Sequence, residues 1–351
     1  MNLQPKVRSD RPDLLAPQRV MDISVVIPTW RGRHLLEAYL PSVFDACDRF
    51  HDLSGARTEI VIVEDAGGDD TVQWVRSQLG NRARLIEHGR NRGFSETCQT
   101  GFESACYPVV LLLNNDVRLH RDCVAPMIEH FEDPGVFAVT GKIFSQDEKL
   151  FWNGGKVARF RRGMWSTYEN YDVIPGAATG LQLLSFTAVG AFSAFDRTKF
   201  LEVGGFDPLA IMVEDVEVSY RAWKRGWCIK YEPRSVAYHD ASRTMDRRYR
   251  RRTLDKMSRR SRLLMHWMLL HDPGMFSSHL LSITGRLLVS WLILDWRFYW
   301  AVFTGLGSLP SILRKRRSTR RTMRTTDREL RELLNRFYRE SPIILRQAGR
   351  P

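Results

Sequence analysis

Nowhere in the 351 residues is there a run of roughly 20 uninterrupted apolar positions, the length a membrane-spanning helix requires. The most apolar segment, Leu280 to Leu313, is broken by Arg286, Asp295 and Arg297. That favours interfacial or re-entrant helices, with Trp291, Trp296, Tyr299 and Trp300 at headgroup level. Cysteine is scarce as well: Cys47, Cys98, Cys106, Cys123 and Cys228 are odd in number and show no CxxC spacing. Such a set argues against a disulfide framework and for reduced, structural thiols. The first 20 residues have no apolar h-region, so they read as a loose polar tail, neither signal peptide nor anchor. Internal repeats and low-complexity stretches are absent too.

Negative charge is the minority. Against 53 Lys and Arg stand 40 Asp and Glu, a net charge of +13 that implies an anionic partner: nucleic acid, anionic lipid or a phosphate-bearing substrate. Most of the excess lies in Arg243 to Arg262 and Arg314 to Arg324, so that partner is expected to meet the C-terminal third. With 43% hydrophobic residues the chain is long enough to bury one large domain and a smaller appendage.

From Ile23 onward, short β-branched runs (ISVVI, EIVIV, ARLIE, VVLLL, VFAVT) alternate with segments of helical periodicity. This pattern predicts an α/β fold with a mostly parallel, buried sheet of nucleotide-binding type. In such sheets ligands bind beyond the carboxyl ends of the strands, where this chain carries Pro28-Thr29, Glu64-Asp65 and Asn114-Asn115-Asp116. Residues 149–187 lose the alternation and read as irregular strands and loops over one face, a place for acceptor contacts. EDVEVSYRAWKRGW reads as a helix, CIKYEP and SVAYHD as two short strands, and the compact domain as ending near Asp240.

Three groups carry chemistry. Asp116, the one carboxylate in LLLNNDV, suits a hard divalent cation such as Mg²⁺ or Mn²⁺ that keeps room for substrate phosphates; an Asn/Asp turn capping the strand is the bland alternative. Glu214 and Asp215 open a helix followed by Arg221, Lys224 and Arg225, a position favoured by the helix dipole and equally fit for a catalytic base. His239 ends a strand, where a histidine is either structural or a second ligand for the same metal. Asn91 to Gly101 is a glycine-containing loop that opens a helix and lets backbone approach a nucleotide.

Taken in order, VVIPTWRG, IVIVEDAGGDD, NRGF, LLLNNDV, GGFD and EDVEVSYRAWKRGW resemble the family 2 glycosyltransferases of the GT-A fold, which use nucleotide sugars and invert the anomeric centre. The resemblance runs from about Ile23 to His239. It implies that Pro28 and Thr29 line the donor pocket, with Glu64 and Asp65 beside the base or ribose. Asn91 and Gly93 would then shape the nucleotide loop. Asn114, Asn115 and Asp116 would hold the metal diphosphate, with Asn115 and Asp116 closest to it. Asp215, with Glu214 beside it, would supply the base, and His239 would complete the metal site. The family's D-x-D reads Asn-Asn-Asp here, leaving one carboxylate for the ion, and Glu64 stands where Asp is commoner.

The C-terminal segment looks like those of bacterial transferases that build lipid-linked polysaccharides, rhamnosyltransferases among them. The resulting division is residues 1–20 as tail, 21–245 as GT-A catalytic domain and 246–351 as a basic, helical, membrane-associating region. The expected setting is the cytoplasmic face of the inner membrane, held peripherally or monotopically on anionic lipid, with a lipid-linked acceptor and no nucleic acid. A nucleotidyltransferase of similar sheet and a basic nucleic-acid-binding protein are the competing readings.

Overall fold

The computed structural model describes residues 21–177, 180–240 and 251–347. The tail at 1–20, the boundary at 245/246 and the basic residues 243–250 lie outside the described residues.

The first half of the chain alternates as its periodicity demands: β1 (Ile23–Thr29), α1 (Arg33–Ser54), β2 (Thr58–Glu64), α2 (Thr71–Gln78), β3 (Arg84–Glu87), α3 (Phe94–Ser104) and β4 (Val109–Leu113). Every residue of β1 and β4 is buried, as strands covered on both faces must be. α1 turns Leu36, Leu40, Val43, Cys47 and Phe50 inward at three- and four-residue spacing and ends on Gly55 in the left-handed conformation. α3 lies so close to β1 that a Cβ on Gly101 would stand 2.3 Å from Val26 Cγ1.

These strands pair in the order β3-β2-β1-β4, all parallel. The chain moves outward from β1 in one direction and returns to its other side at β4, which makes a switch point between β1 and β4.

Beyond β4 the sheet is mixed, so the mostly parallel expectation holds for the core strands β3-β2-β1-β4 and not for the sheet as a whole. The order continues through β10 (Phe192–Asp196), β6 (Val136–Ser145), β11 (Cys228–His239) and β5 (Val117–Leu119), with β7 (Phe151–Asn153) on β6. β10 is antiparallel to both neighbours, and β5 is antiparallel to β11. Only three residues join β4 to β5, too few for the crossover that a parallel return needs. CIKYEP and SVAYHD form the single strand β11, whose pairing to β6 slips between Glu232 and Val236. Pro233 lies inside that slip and has no N–H for the ladder.

The stretch after residue 149 is more regular than its pattern suggests. β8 (Gly155–Arg161) and β9 (Met164–Val173) form an antiparallel hairpin, extended by the C-terminal strand β12 (Ile343–Gln347). The connections on the other side are α4 (Val124–Ile128), α5 (Arg197–Val203) and α6 (Glu214–Lys224).

Among the described residues five further helices follow: α7 (Arg251–Leu269), α8 (Pro273–Leu292), α9 (Trp296–Leu306), α10 (Leu309–Thr322) and α11 (Asp327–Glu340). They share the core of the sheet-bearing part: Leu264 and Leu269 of α7 and Leu330 and Leu334 of α11 are buried in one cluster with Val218, Tyr220 and Trp223 of α6. Asp327 ties the two halves together. Its carboxylate takes the Lys224 ammonium, the Tyr220 hydroxyl, and the backbone N–H groups of His271 (2.6 Å) and Asp272 (2.7 Å).

Among the described residues no helix is long and apolar enough to cross a membrane. The charges that interrupt the apolar run meet one another, because Asp295, nearly buried, pairs with Arg259 (2.7 Å), Arg286 (2.9 Å) and Arg297 (3.5 Å). The five cysteines are free, and only Cys106 is exposed.

Candidate functional site

The carboxyl ends of β1, β2 and β4 draw the motif residues into one edge. Pro28 and Thr29 end β1 in register with Val63 and Glu64 of β2. Thr29 Oγ1 accepts a hydrogen bond from Asn115 Nδ2 at 2.7 Å, joining β1 to the turn after β4. Gly32 sits against this pair, and a Cβ there would come within 2.0 Å of Thr29 Oγ1 and 2.4 Å of Asn115 Nδ2. Glu64 is buried and accepts the Gly67 N–H at 2.8 Å. Burial pushes its carboxyl above the usual carboxylate range, against the opposing hydrogen bond from Gly67.

Asp65 builds the neighbouring loop. One of its oxygens accepts the Arg92 N–H at 2.8 Å and His88 Nδ1 at 2.8 Å; the other accepts the Gly93 N–H at 2.8 Å. Asn91 Nδ2 donates to the Asp65 carbonyl at 3.0 Å. Gly93 takes φ +85°, open to glycine at little cost, and caps the start of α3. His88 is buried and spans from Asp65 to Thr100 Oγ1 (2.9 Å) on α3. The loop is thus held from behind by a carboxylate and an imidazole.

On the opposite side of the switch point, Asp116 and His239 meet directly. His239 Nε2 donates to Asp116 Oδ1 at 3.0 Å, and the Asp240 N–H reaches the Asp116 carbonyl at 3.1 Å. β11 runs antiparallel to β5 with His239 opposite Val117, so strand pairing alone brings residues 123 apart in sequence into contact. Among the described residues no group of three or more His, Cys, Asp or Glu is placed to hold a metal ion.

Glu214 and Asp215 form the first turn of α6. Burial raises the Glu214 carboxyl to about 7, with the neighbouring Asp215 adding to the shift. Burial also raises Asp215, and the Lys156 ammonium on β8 is the main opposing influence. Asp215 Oδ1 accepts the Val216 N–H at 2.8 Å, and the carboxylate also takes the Gly190 N–H. The next residue, Ala191, accepts the Asn114 N–H at 3.1 Å. The strap before β10 therefore places the α6 carboxylates one residue away from the Asn-Asn-Asp turn.

Pro28, Thr29, Glu64, Asp65, Asn91, Gly93 and Asn114 to Asp116 lie at the carboxyl ends of β1, β2 and β4 or on the loops that follow, with His239 against Asp116 and Glu214 and Asp215 on α6, whereas Arg221, Lys224 and Arg225 at the other end of that helix pair with Glu217, Asp327 and Glu202; three residues not singled out also lie near these groups. His88 lies in HGRNRGF with no periodicity or motif to mark it, Lys156 lies in the stretch read as irregular, and Gly190 acts through its backbone. A cavity of about 190 Å³ lies elsewhere, between α6 and α10; its lining charges Glu217 and Arg221, and Asp207 and Lys315, are already paired.

Residues 24–200 match the family model described as glycosyl transferase family 2. The chain is similar to the poly-beta-1,6-N-acetyl-D-glucosamine synthase of Staphylococcus aureus (strain COL), at 26% identity over 185 residues, which is 52% of this chain and 42% of that protein. The chain thus spans less than half the length of that relative. Among solved structures, GalNAc-T7 with UDP, GalNAc and Mn²⁺ aligns with a TM-score of 0.54 at 15% identity over 73% of this chain and 49% of that one. The mannosyltransferase PcManGT from Pyrobaculum calidifontis, in complex with GDP-Man and Mn²⁺, aligns with a TM-score of 0.50 at 16% identity over 83% and 88%. At such identities the structural likeness speaks for the fold. Motif order, strand order and the family match agree: the chain belongs to glycosyl transferase family 2 and is a glycosyltransferase of the GT-A fold.

Proposed function

We propose that the protein transfers a sugar from a nucleoside-diphosphate donor to an acceptor hydroxyl with inversion, in the synthesis of a lipid-linked cell-surface glycan. The observation that carries this reading is the strap at Gly190 and Ala191: Ala191 accepts the Asn114 N–H at 3.1 Å, and a Cβ on Gly190 would stand 4.0 Å from Asp215 Cβ, so the strap links the Asn-Asn-Asp turn to the start of α6.

Asp215 takes the proton from the acceptor hydroxyl as its oxygen attacks C1, and the C1–O bond to the diphosphate breaks on the opposite face. Glu214 titrates near neutrality, and Lys156 acts on Asp215 to favour its charged form. Glu64 and Pro28-Thr29 border the nucleoside, and the loop held by Asp65 and His88 offers backbone to it.

The chemistry of the donor set fits a divalent ion. Asp116 and His239, brought side by side where β11 pairs with β5, are a carboxylate and an imidazole of the kind that would hold a divalent ion. Diphosphate oxygens of the donor would supply further oxygen ligands. A Mn²⁺ or Mg²⁺ ion held there would offset the charge that develops on the leaving diphosphate. Both solved structures aligned above carry Mn²⁺.

The far end of α8 and α9 supports a membrane setting for the acceptor. Leu288, Trp291, Leu292, Leu294 and Phe303 are each more than 60% exposed, a density of apolar surface that marks an interaction site. Exposed Arg314, Arg317, Arg320 and Arg321 on the adjoining α10 suit anionic headgroups. This reading places the enzyme on the cytoplasmic leaflet, inserted into one side only.

A panel of nucleotide sugars with Mn²⁺, scored by thermal shift and by slow donor hydrolysis, tests the proposal. A donor at 100 times its dissociation constant stabilises the fold by about 2.7 kcal/mol. A panel in which no nucleotide sugar stabilises or is hydrolysed would overturn the reading.

A further inference from the structure

The segment that leads into α6 is gripped by the C-terminal helices. In GGFDPLAIMVED, one oxygen of Asp207 takes the Lys315 ammonium of α10, and the other accepts the Leu209 N–H at 2.9 Å. Ser261 of α7, itself buried, donates to the Leu209 carbonyl at 3.3 Å. Arg221 of α6 holds the start of the segment through the carbonyls of Val203 (2.5 Å) and Gly205 (2.6 Å). From Asp207 a series of backbone bonds then runs into the first turn of α6. The Asp207 carbonyl accepts the Ala210 N–H (2.9 Å), the Ala210 carbonyl the Val213 N–H (2.8 Å), and the Val213 carbonyl the Glu217 N–H (2.9 Å). Between these turns Met212 takes φ +72°, a conformation that a methionine keeps only where its surroundings hold it.

We propose that Lys315 is a positioning residue for the reaction: by holding Asp207 from α10 it fixes residues 207–213, and through them Glu214 and Asp215, so the C-terminal helices belong to the catalytic unit. The proposal rests on the assignment of Asp215 as base. Exposed ion pairs contribute little, but Asp207 is only 7% exposed. Removing Lys315 leaves a nearly buried carboxylate short of partners, and the segment must open toward water to solvate it. Lys315 is set apart within its basic cluster, because it is half-buried against Asp207 across 108 residues while Arg314, Arg317 and Arg321 are exposed.

The test uses the full chain with Lys315→Met, Asp207→Asn and Lys315→Arg. Asn keeps a side-chain cap for the Leu209 N–H while removing the charge, and Arg keeps the cation. Amide hydrogen exchange at Ala210 and Val213 reports on the segment. Hydrolysis of UDP-, GDP- and dTDP-sugars with Mn²⁺, water standing in for the acceptor, reports on turnover beside donor affinity. In Lys315→Met and in Asp207→Asn both amides should exchange about 10-fold faster. Turnover should fall by about 10- to 100-fold, the effect of a small misplacement of a reacting group, with the donor dissociation constant unchanged. Lys315→Arg should restore most of the turnover, and the double change should lose no more than either single one. Unchanged exchange, wild-type turnover in a variant folded by circular dichroism, or Lys315→Arg as slow as Lys315→Met overturns the proposal. The exchange measurement needs no nucleotide, so its failure stands apart from failure of the glycosyl-transfer reading. A wild-type chain that hydrolyses none of these sugars overturns that reading and this inference with it.

Discussion

Asp327→Ala probes the joint between the glycosyltransferase core and the C-terminal helices. The carboxylate sits at the start of α11 and receives four donors: Lys224 Nζ, Tyr220 OH and the N–H groups of His271 and Asp272. Both members of the ion pair are essentially without solvent exposure. Truncating Asp327 leaves the Lys224 ammonium buried without its counter-ion, and breaking a buried pair from one side costs about 3 to 5 kcal/mol. The two orphaned backbone N–H groups push toward the upper end of that range. For 351 residues at roughly 2 cal/mol/K each, the melting temperature should fall by about 4 to 7 °C if unfolding is a single transition.

Differential scanning calorimetry and urea titration measure this loss. Removing both partners in Lys224→Met with Asp327→Leu should cost much less than the sum of the single changes, because no lone charge is left behind. Burial raises the Asp327 carboxyl, but Lys224 and the hydrogen bonds outweigh it and hold the group below the usual carboxylate range. Its contribution is therefore present above the unfolded value near 4 and fades as pH falls through the folded value. A loss under about 1 kcal/mol at pH 7, or additive single and double changes, would refute the idea that this pair locks the C-terminal helices to α6.

Three other outcomes follow from the geometry. His239→Ala should raise the Mn²⁺ concentration needed for half-maximal activity about 10- to 100-fold, with little change at saturating metal; an unchanged metal titration would return His239 to a purely structural role. Glu214→Gln should stabilise the fold at pH 8 by up to about 3 kcal/mol, since a carboxyl raised to about 7 contributes stability below its unfolded value and loses it as pH climbs through 7; the difference from wild type should vanish below about pH 4, and a pH-independent difference would contradict it. Placing Asp at both Leu292 and Leu294 should greatly reduce flotation with anionic liposomes while thermal stability holds, because both side chains are more than 60% exposed; undiminished flotation would remove this tip from membrane contact.

The parts of the fold that a local pattern can encode were legible. β1, β2, β3, β4 and β6 announce themselves as short apolar runs, and α1, α3 and α6 as helical periodicity. The Asn-Asn-Asp turn and the Glu214-Asp215 pair were legible because each sits where a strand or helix ends. What escaped depends on partners distant in sequence. β12 pairs with β9 across about 170 residues, and Lys224 meets Asp327 across 103. Neither contact leaves a periodic trace. Lys156 and His88 escaped for a second reason: each is a single polar residue whose meaning comes from a carboxylate on another element. The charges at Arg286, Asp295 and Arg297 were visible as interruptions, but only the fold reveals that both arginines pair with Asp295.

The proposed role of Asp215 is to remove the acceptor proton. Its most direct test is single-turnover transfer by Asp215→Asn, measured beside donor affinity under the same metal concentration. The rate should fall by about 10² to 10⁴ with donor affinity close to wild type. Wild-type transfer in the variant, or a loss of donor binding that accounts for the whole decline, would contradict it.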